Sequence, residues 1–78
     1  MAAVKVAIIE DDQAISQMYR IKFQADGFDV ETAENGKLGL QLCEQMKPDI
    51  VLLDLMMPGV NGFDFLQIGR VHQIRKSL

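Results

Sequence analysis

Acidic side chains follow two strongly apolar stretches of the chain. Three acids follow the first stretch and one follows the second: Glu10, Asp11, Asp12 and Asp54. Carboxylates that lie close together destabilise one another, and a bound divalent cation removes that repulsion. Oxygen ligands without histidine or cysteine favour Mg²⁺ over zinc. Because protein-bound Mg²⁺ usually keeps waters and is completed by phosphate oxygens, this donor set indicates phosphoryl chemistry.

Two apolar stretches must form the strands that position these acids. Residues 4–9 are almost entirely apolar and rich in branched side chains, and the run that begins at Ile50 is apolar as far as Asp54. Runs of this kind are typical of strands buried on both faces of a parallel sheet. Ligands of open parallel sheets bind beyond the carboxyl ends of the strands. If the two strands are neighbours, the acids converge at one end of the sheet.

The first predicted helix runs from Gln13 to Ala25. Its apolar residues recur at spacings of three and four and predict the face that packs on the sheet: Ala14, Ile15, Met18, Ile21 and Ala25. Asp12 is well placed to cap the N-terminus of this helix. The Asp26-Gly27 pair is a stop signal.

An edge strand and a second helix are predicted next. Three residues that favour strands, Phe28, Val30 and Thr32, alternate with acids, which indicates a half-exposed strand at a sheet edge. The second helix begins after Asn35-Gly36 and ends at Lys47-Pro48. Its predicted apolar face consists of Leu38, Leu42 and Met46, with Leu40 and Cys43 alongside.

A third helix is predicted after Asn61-Gly62. Two sets of residues there fall at helical spacing: Phe63, Leu66 and Arg70, or Phe65, Ile68 and Val71. Gly69 weakens this helix by roughly 1 kcal/mol relative to alanine. Strand and helix thus alternate three times, which predicts an α/β fold with parallel strands and right-handed crossovers.

Length, charge and cysteine content limit the function classes. The 78 residues permit one small domain, spanning 1–78. Residues 1–64 hold eleven acids and five bases, whereas residues 65–78 hold three bases and no acid. The acidic body argues against nucleic-acid binding, and no apolar run is long enough for a membrane helix. The single cysteine, Cys43, fits a reducing cytoplasm and is expected to pack in a helix.

Two motifs resemble the receiver domain of two-component response regulators. They are Ile-Ile-Glu-Asp-Asp at 8–12 and Asp-Leu-Met-Met-Pro-Gly-Val-Asn-Gly at 54–62, and the resemblance covers nearly all of residues 4–66. It implies that Asp54 accepts a phosphoryl group from a histidine kinase in a Mg²⁺-dependent reaction, and that the protein is not an enzyme in its own right.

The same resemblance implies roles for individual residues around the acceptor. Asp11 would bind Mg²⁺ directly, Glu10 would hold it mainly through water, and the backbone carbonyl of Met56 would add an oxygen beside Asp54. Met57-Pro58 would shape the following loop, and Gly62 would start the third helix. Asp12 is not part of the family's acidic pair and remains a predicted helix cap.

The chain departs from the family pattern in its length. The family has five βα units in the flavodoxin-like strand order 2-1-3-4-5, whereas this chain supplies three, so we expect a truncated half-domain with a three-stranded sheet in the order 2-1-3. Residues 67–78 are an atypical tail, and no lysine or switch serine or threonine of the later strands is matched. The third strand would then be an open apolar edge, which predicts a homodimer through the third strand or the third helix.

Three functions remain open from the sequence. The first is a cytoplasmic receiver module that accepts phosphate on Asp54. The second is an engineered or truncated half-receiver that self-associates structurally and lacks switching activity. The third is a phosphohydrolase of related architecture, for which no further general acid or base is in place.

Overall fold

A computed structural model of the chain describes residues 3–54, Phe65 and residues 70–73. Within these ranges the elements are β1 (Lys5–Ile9), α1 (Gln13–Ala25), β2 (Asp29–Ala33), α2 (Gly36–Met46), β3 (Ile50–Leu53) and β4 (Arg70–Gln73). The strands form one parallel sheet in the order β2-β1-β3-β4. The predicted order 2-1-3 is therefore confirmed, and the sheet continues with a fourth strand. No helix in the described part of the chain is long and apolar enough to cross a bilayer.

The two predicted apolar strands are neighbours at the centre of the sheet. β1 pairs with β3 in a register that joins Val6 to Ile50 and Ile9 to Leu53. Every residue of β1 after Lys5 is buried. Strands covered on both faces need apolar side chains on both, which explains why neither sequence shows a polar alternation.

Helices cover the two faces of the sheet and divide the core into two layers. On the α2 side the buried residues include Ala7, Ile9 and Val51, together with Cys43 of the helix and Phe65. On the α1 side the buried residues are Val6, Ile8 and Val30, with half-buried aromatic and aliphatic side chains packed against them: Tyr19, Phe23, Phe28, Ile50 and Leu52. Successive side chains of β1 point to opposite faces of the sheet and therefore contribute to both layers.

The helix ends lie where the sequence predicted them. The Asp12 carboxylate accepts hydrogen bonds from the backbone N–H groups of Ala14 at 3.0 Å and Ile15 at 3.2 Å. The Asn35 side chain caps α2 by accepting from Leu38 N–H at 2.8 Å. Gly27 has a positive φ of 91° after α1, and Lys47 has a φ of 50° after α2. The Asp12 and Asn35 side chains satisfy backbone donors at the helix N-termini that would otherwise lack intrahelical partners.

The predicted buried face of α1 is wrong in part. Met18 and Ile21 are 57% and 66% exposed, whereas Ser16 is the buried residue of this helix. The aromatic rings of Tyr19 and Phe23 stack at a centroid distance of 6.2 Å, and Phe23 meets Phe28 edge-on at 5.6 Å. The aromatic side chains pack against the sheet because their large apolar area outweighs the regular aliphatic spacing on which the prediction relied. On α2, Leu38 is likewise 41% exposed.

The predicted third helix is wrong at its C-terminal end. Residues 70–73 form β4, which pairs in parallel with β3 from Ile50–Arg70 to Leu53–Gln73. The rest of that predicted helix, including Gly62, lies outside the described residues apart from the buried Phe65. An open strand edge is stabilised by any segment that pairs with its backbone groups. That long-range pairing outweighs a helical spacing already weakened by Gly69.

The same pairing removes the premise of the predicted homodimer. The dimer was expected because β3 would form the open edge of the sheet, and β4 occupies that edge. Homodimerisation, predicted from the sequence, is not tested by the structure. The reason for joining two chains through β3 no longer holds.

Candidate functional site

The carboxyl ends of β1 and β3 bring the acids together. Glu10 follows β1 and Asp54 follows β3, and the two residues extend the sheet by one backbone hydrogen bond each. Glu10 N–H donates to the carbonyl of Ala33 at 3.0 Å, and Asp54 N–H donates to the carbonyl of Ile9 at 3.2 Å. The position of both acids is therefore set by the ladder of the central strands.

Three acidic side chains form one cluster, which we call the acid site: Glu10, Asp11 and Asp54. One carboxylate oxygen from each lies within 4.8 Å of those of the other two. Glu10 and Asp54 are fully buried, and Asp11 is exposed. The site therefore has two acids inside the protein and one at the surface, through which a solvated ligand can approach.

The fourth predicted acid has a different role. The Asp12 carboxylate accepts the two N–H bonds that begin α1, and it is not part of the acid site. Its prediction as a helix cap is confirmed. Asp11 and Asp12 therefore have different roles, because Asp12 is the N-cap of α1 and Asp11 precedes the cap.

Met56 and the loop after it belong to the predicted site. Met56, whose backbone carbonyl was expected to be a metal ligand, lies outside the described residues, as does Met57-Pro58. Lys5, by contrast, lies at the opposite end of β1, where its Nζ donates to the Met46 carbonyl at 3.3 Å. Lys5 therefore has no role at the acid site.

The donor set of the acid site fits a hard divalent cation. Its three side chains offer only carboxylate oxygens, at a separation that one ion spans. Burial of two of the carboxylates strengthens their mutual repulsion because the surroundings screen it less than water does. Mg²⁺ would be held by these oxygens and would keep waters or phosphate oxygens on its exposed side.

Comparison with known proteins assigns the family. The sequence model of the response regulator receiver domain matches residues 6–76 of this chain. The chain belongs to this family. Receiver domains accept a phosphoryl group in two-component signalling and bind Mg²⁺ at their acidic phosphorylation site. The resemblance drawn from the two motifs is therefore confirmed.

Individual relatives agree with this assignment. The DNA-binding regulator RpaA of Synechocystis is 43% identical over 63 residues, which are 81% of this chain and 26% of that protein. Among solved structures, the chemotaxis protein CheY4 of Vibrio cholerae matches with a TM-score of 0.75 and 34% identity, over 82% of this chain and 53% of that chain. The response regulator TrrA, solved in complex with the histidine kinase ThkA, matches with a TM-score of 0.77 and 25% identity, over 90% of this chain and 66% of the matched chain. The receiver chain described here spans less than a third of the length of the curated relatives it matches.

A second concave surface, which no sequence motif indicated, adjoins the acid site at Ala33, whose carbonyl accepts from Glu10 N–H. It is a groove of about 420 Å³, which we call the β2 groove, and none of the three site acids lines it. Its polar lining comes from α1, the end of β2 and α2: Gln13, Ser16, Thr32, Glu34, Gln41 and Gln45. The only signal in the sequence is the spacing of Gln41 and Gln45, which places both amides on one face of α2.

Proposed function

We propose that this receiver domain accepts a phosphoryl group on Asp54 from the phosphohistidine of a histidine kinase, with Mg²⁺ held at the acid site. The observation that supports the proposal is the convergence of Glu10, Asp11 and Asp54 within 4.8 Å at the ends of neighbouring strands. The complex of TrrA with a histidine kinase supports the choice of donor. A cytoplasmic location and the Met56 carbonyl ligand are part of the same proposal.

The proposed transfer is a substitution at phosphorus. A carboxylate oxygen of Asp54 forms the new P–O bond while the P–N bond to the kinase histidine breaks, and that histidine keeps the electron pair. Bound Mg²⁺ would supply electrostatic stabilisation of the phosphoryl oxygens. Asp54 is fully buried, and its backbone N–H is bonded to the Ile9 carbonyl, so the backbone that carries the carboxylate is positioned before the donor arrives.

The other two carboxylates have supporting roles in this proposal. Glu10 is buried beside Asp54, and Asp11 faces solvent. Together they give the site a negative charge that retains the cation while the acceptor is free of phosphate. Without a cation, the same charge would repel the incoming phosphoryl group. The proposed reaction therefore requires the metal.

Phosphorylation by acetyl phosphate tests the proposal without a known kinase. The protein is incubated with acetyl phosphate and MgCl₂ and weighed by intact mass spectrometry. We expect a mass increase of one phosphoryl group, which is lost when EDTA replaces MgCl₂ and lost in Asp54→Asn. The matched control is Asp12→Asn, because asparagine caps a helix as well as aspartate does and Asp12 lies outside the acid site.

Two outcomes would contradict the proposal. An adduct that persists in Asp54→Asn would place the acceptor elsewhere. Absence of the phosphoryl adduct under all conditions would favour the half-receiver that self-associates structurally. Turnover of a phosphomonoester by the unmodified chain would instead indicate a phosphohydrolase.

A further inference from the structure

The outer edge of β2 carries backbone groups that point away from the sheet. Among the described residues β2 pairs with β1 alone. Asp29 N–H donates to the Val4 carbonyl at 2.9 Å, and the Ala33 carbonyl accepts from Glu10 N–H at 3.0 Å. In a parallel ladder, successive residues direct their backbone groups to alternate sides. The N–H and C=O groups of Val30 and Thr32 therefore point outward.

The β2 groove lies beside this outward edge, between α1 and α2. Thr32 and Glu34 line it from the strand, and three carboxamides line it from the helices: Gln13, Gln41 and Gln45. A carboxamide both donates and accepts hydrogen bonds, as a peptide bond does. The groove thus offers peptide-like partners next to a strand edge, which is the geometry used when an extended segment adds to a sheet.

The negative charge of the β2 edge favours a partner with positive charge. Asp29, Glu31 and Glu34 are exposed, and the chain has no lysine or arginine between Lys22 and Lys37. Acids on an edge strand disfavour pairing between two copies of the same strand, because like charges would lie opposite one another. They favour a segment that carries lysine or arginine.

We propose that the β2 edge and the β2 groove bind an extended, positively charged polypeptide segment of a partner protein. The segment pairs with the outward backbone groups of Val30 and Thr32 as an added strand. Its basic side chains lie opposite Glu31 and Glu34, and the glutamine carboxamides of the groove bind its peptide groups. The segment contacts none of the three carboxylates of the acid site, which do not line the groove.

Fluorescence anisotropy with a labelled peptide of alternating valine and lysine tests the proposal on the full chain. We expect saturable binding that weakens as salt is added, because exposed ion pairs are screened. The double variant Glu31→Lys/Glu34→Lys should weaken binding at least about tenfold. The single variant Glu31→Lys should also weaken binding, and Glu44→Lys, which changes the net charge by the same amount, is its matched control, since Glu44 is exposed on α2 and does not line the groove.

A second comparison separates strand pairing from simple charge attraction. The same peptide, N-methylated on the amides of one edge, keeps its charge but cannot pair as a strand, and we expect its binding to fall at least about tenfold. Thr32→Pro removes one outward N–H, a change that edge strands tolerate. We expect this variant to bind the original peptide more weakly, and circular dichroism verifies that it is folded.

Four binding results would overturn the proposal. They are equal binding of the N-methylated peptide, equal binding of a peptide with glutamate in place of lysine, full binding by Glu31→Lys/Glu34→Lys, and no saturable binding at all. The chain could instead self-associate in a way that Glu31→Lys/Glu34→Lys changes. That result would assign the groove to a second copy of the chain and would also overturn the proposal.

Discussion

At the scale of single residues, the acid site places like charges close together inside the protein. Asp54 and Glu10 are fully buried, and Asp11 lies within the same 4.8 Å cluster. Without a cation this repulsion lowers the free energy of unfolding. We expect Asp54→Asn, which keeps the shape and removes one charge, to raise that free energy by about 2 kcal/mol in the absence of Mg²⁺. Urea denaturation in EDTA measures the change.

Magnesium should stabilise the unmodified protein more than it stabilises Asp54→Asn. Because a ligand that binds only the folded state stabilises it, MgCl₂ should raise the melting temperature of the unmodified protein. Asp54→Asn should respond less, since it has lost one ligand. Glu44→Gln, an exposed substitution on α2, is the control and should respond as the unmodified protein does. Equal magnesium responses of Asp54→Asn and the unmodified protein would contradict a metal site at Asp54.

Cys43 is a second residue whose chemistry follows from its position. Its side chain is only 2% exposed, and burial raises the pKa of the thiol from 9.0 to about 11. The reactive thiolate is thereby depleted about a hundredfold below pH 9. We expect iodoacetamide at pH 8 to modify the folded protein at least about a hundredfold more slowly than the protein in urea. Comparable rates in the two states would contradict burial of the thiol.

The raised pKa of Cys43 also predicts a pH dependence of stability. Between pH 9 and about 11 the thiol is ionised in the unfolded chain and still protonated in the folded chain. The unfolded state then binds fewer protons, so stability falls as pH rises through this range. In Cys43→Ala this contribution is absent. The two pH profiles, measured by urea denaturation, should therefore run parallel below about pH 9 and differ in slope above it.

At the scale of elements, α2 lies close to β1 at Gly39. A Cβ added there would lie 2.7 Å from Cγ1, 2.9 Å from Cγ2 and 3.0 Å from Cδ1 of Ile9. Alanine improves helix propensity by about 1 kcal/mol, but overpacking costs about 1 to 3 kcal/mol. We therefore expect Gly39→Ala to lower the free energy of unfolding by about 1 kcal/mol, measured by urea denaturation.

A second background isolates the contact with Ile9. In Ile9→Ala the three obstructing side-chain atoms are absent, so only the gain in helix propensity remains. Gly39→Ala should then stabilise the protein instead of destabilising it. The same sign in both backgrounds would show that Ile9 does not set the packing distance of α2.

The boundaries of the elements were largely predictable because their signals are local. Asp12 and Asn35 cap helices through backbone groups two or three residues away, and Gly27 has the positive φ that glycine adopts without strain. The buried face of α1 was less predictable. Its aliphatic spacing pointed to Met18 and Ile21, but the burial of Phe23 depends on Phe28 and the sheet, which periodicity within the helix does not report.

At the scale of the whole molecule, β4 protects the edge of the sheet. It pairs with β3 from Ile50 to Leu53, which are all apolar residues. We expect the full chain to be monomeric and a chain that ends at Gly69 to self-associate through the exposed β3 edge. The Cα radius of gyration of one chain is 11.5 Å, whereas a compact dimer would have about 15 Å. Solution scattering and sedimentation distinguish the two states.

Two results would contradict this account of β4. A monomeric shortened chain with unchanged stability would show that the pairing with residues 70–73 is not needed to protect β3. A dimeric full chain would support the association predicted from the sequence, through a surface other than the paired β3 edge.

The sequence by itself determined the central strands, the helix caps and the acids at the strand ends. Each of these depends on residue types within a few positions, such as the apolar run before Glu10 or the one before Asp54. Only the tertiary structure decided the pairing of residues 70–73 with β3, the face of α1 that is buried and the groove beside β2. These features join segments that are distant in the chain, and their stability comes from contacts that no local pattern of residues specifies.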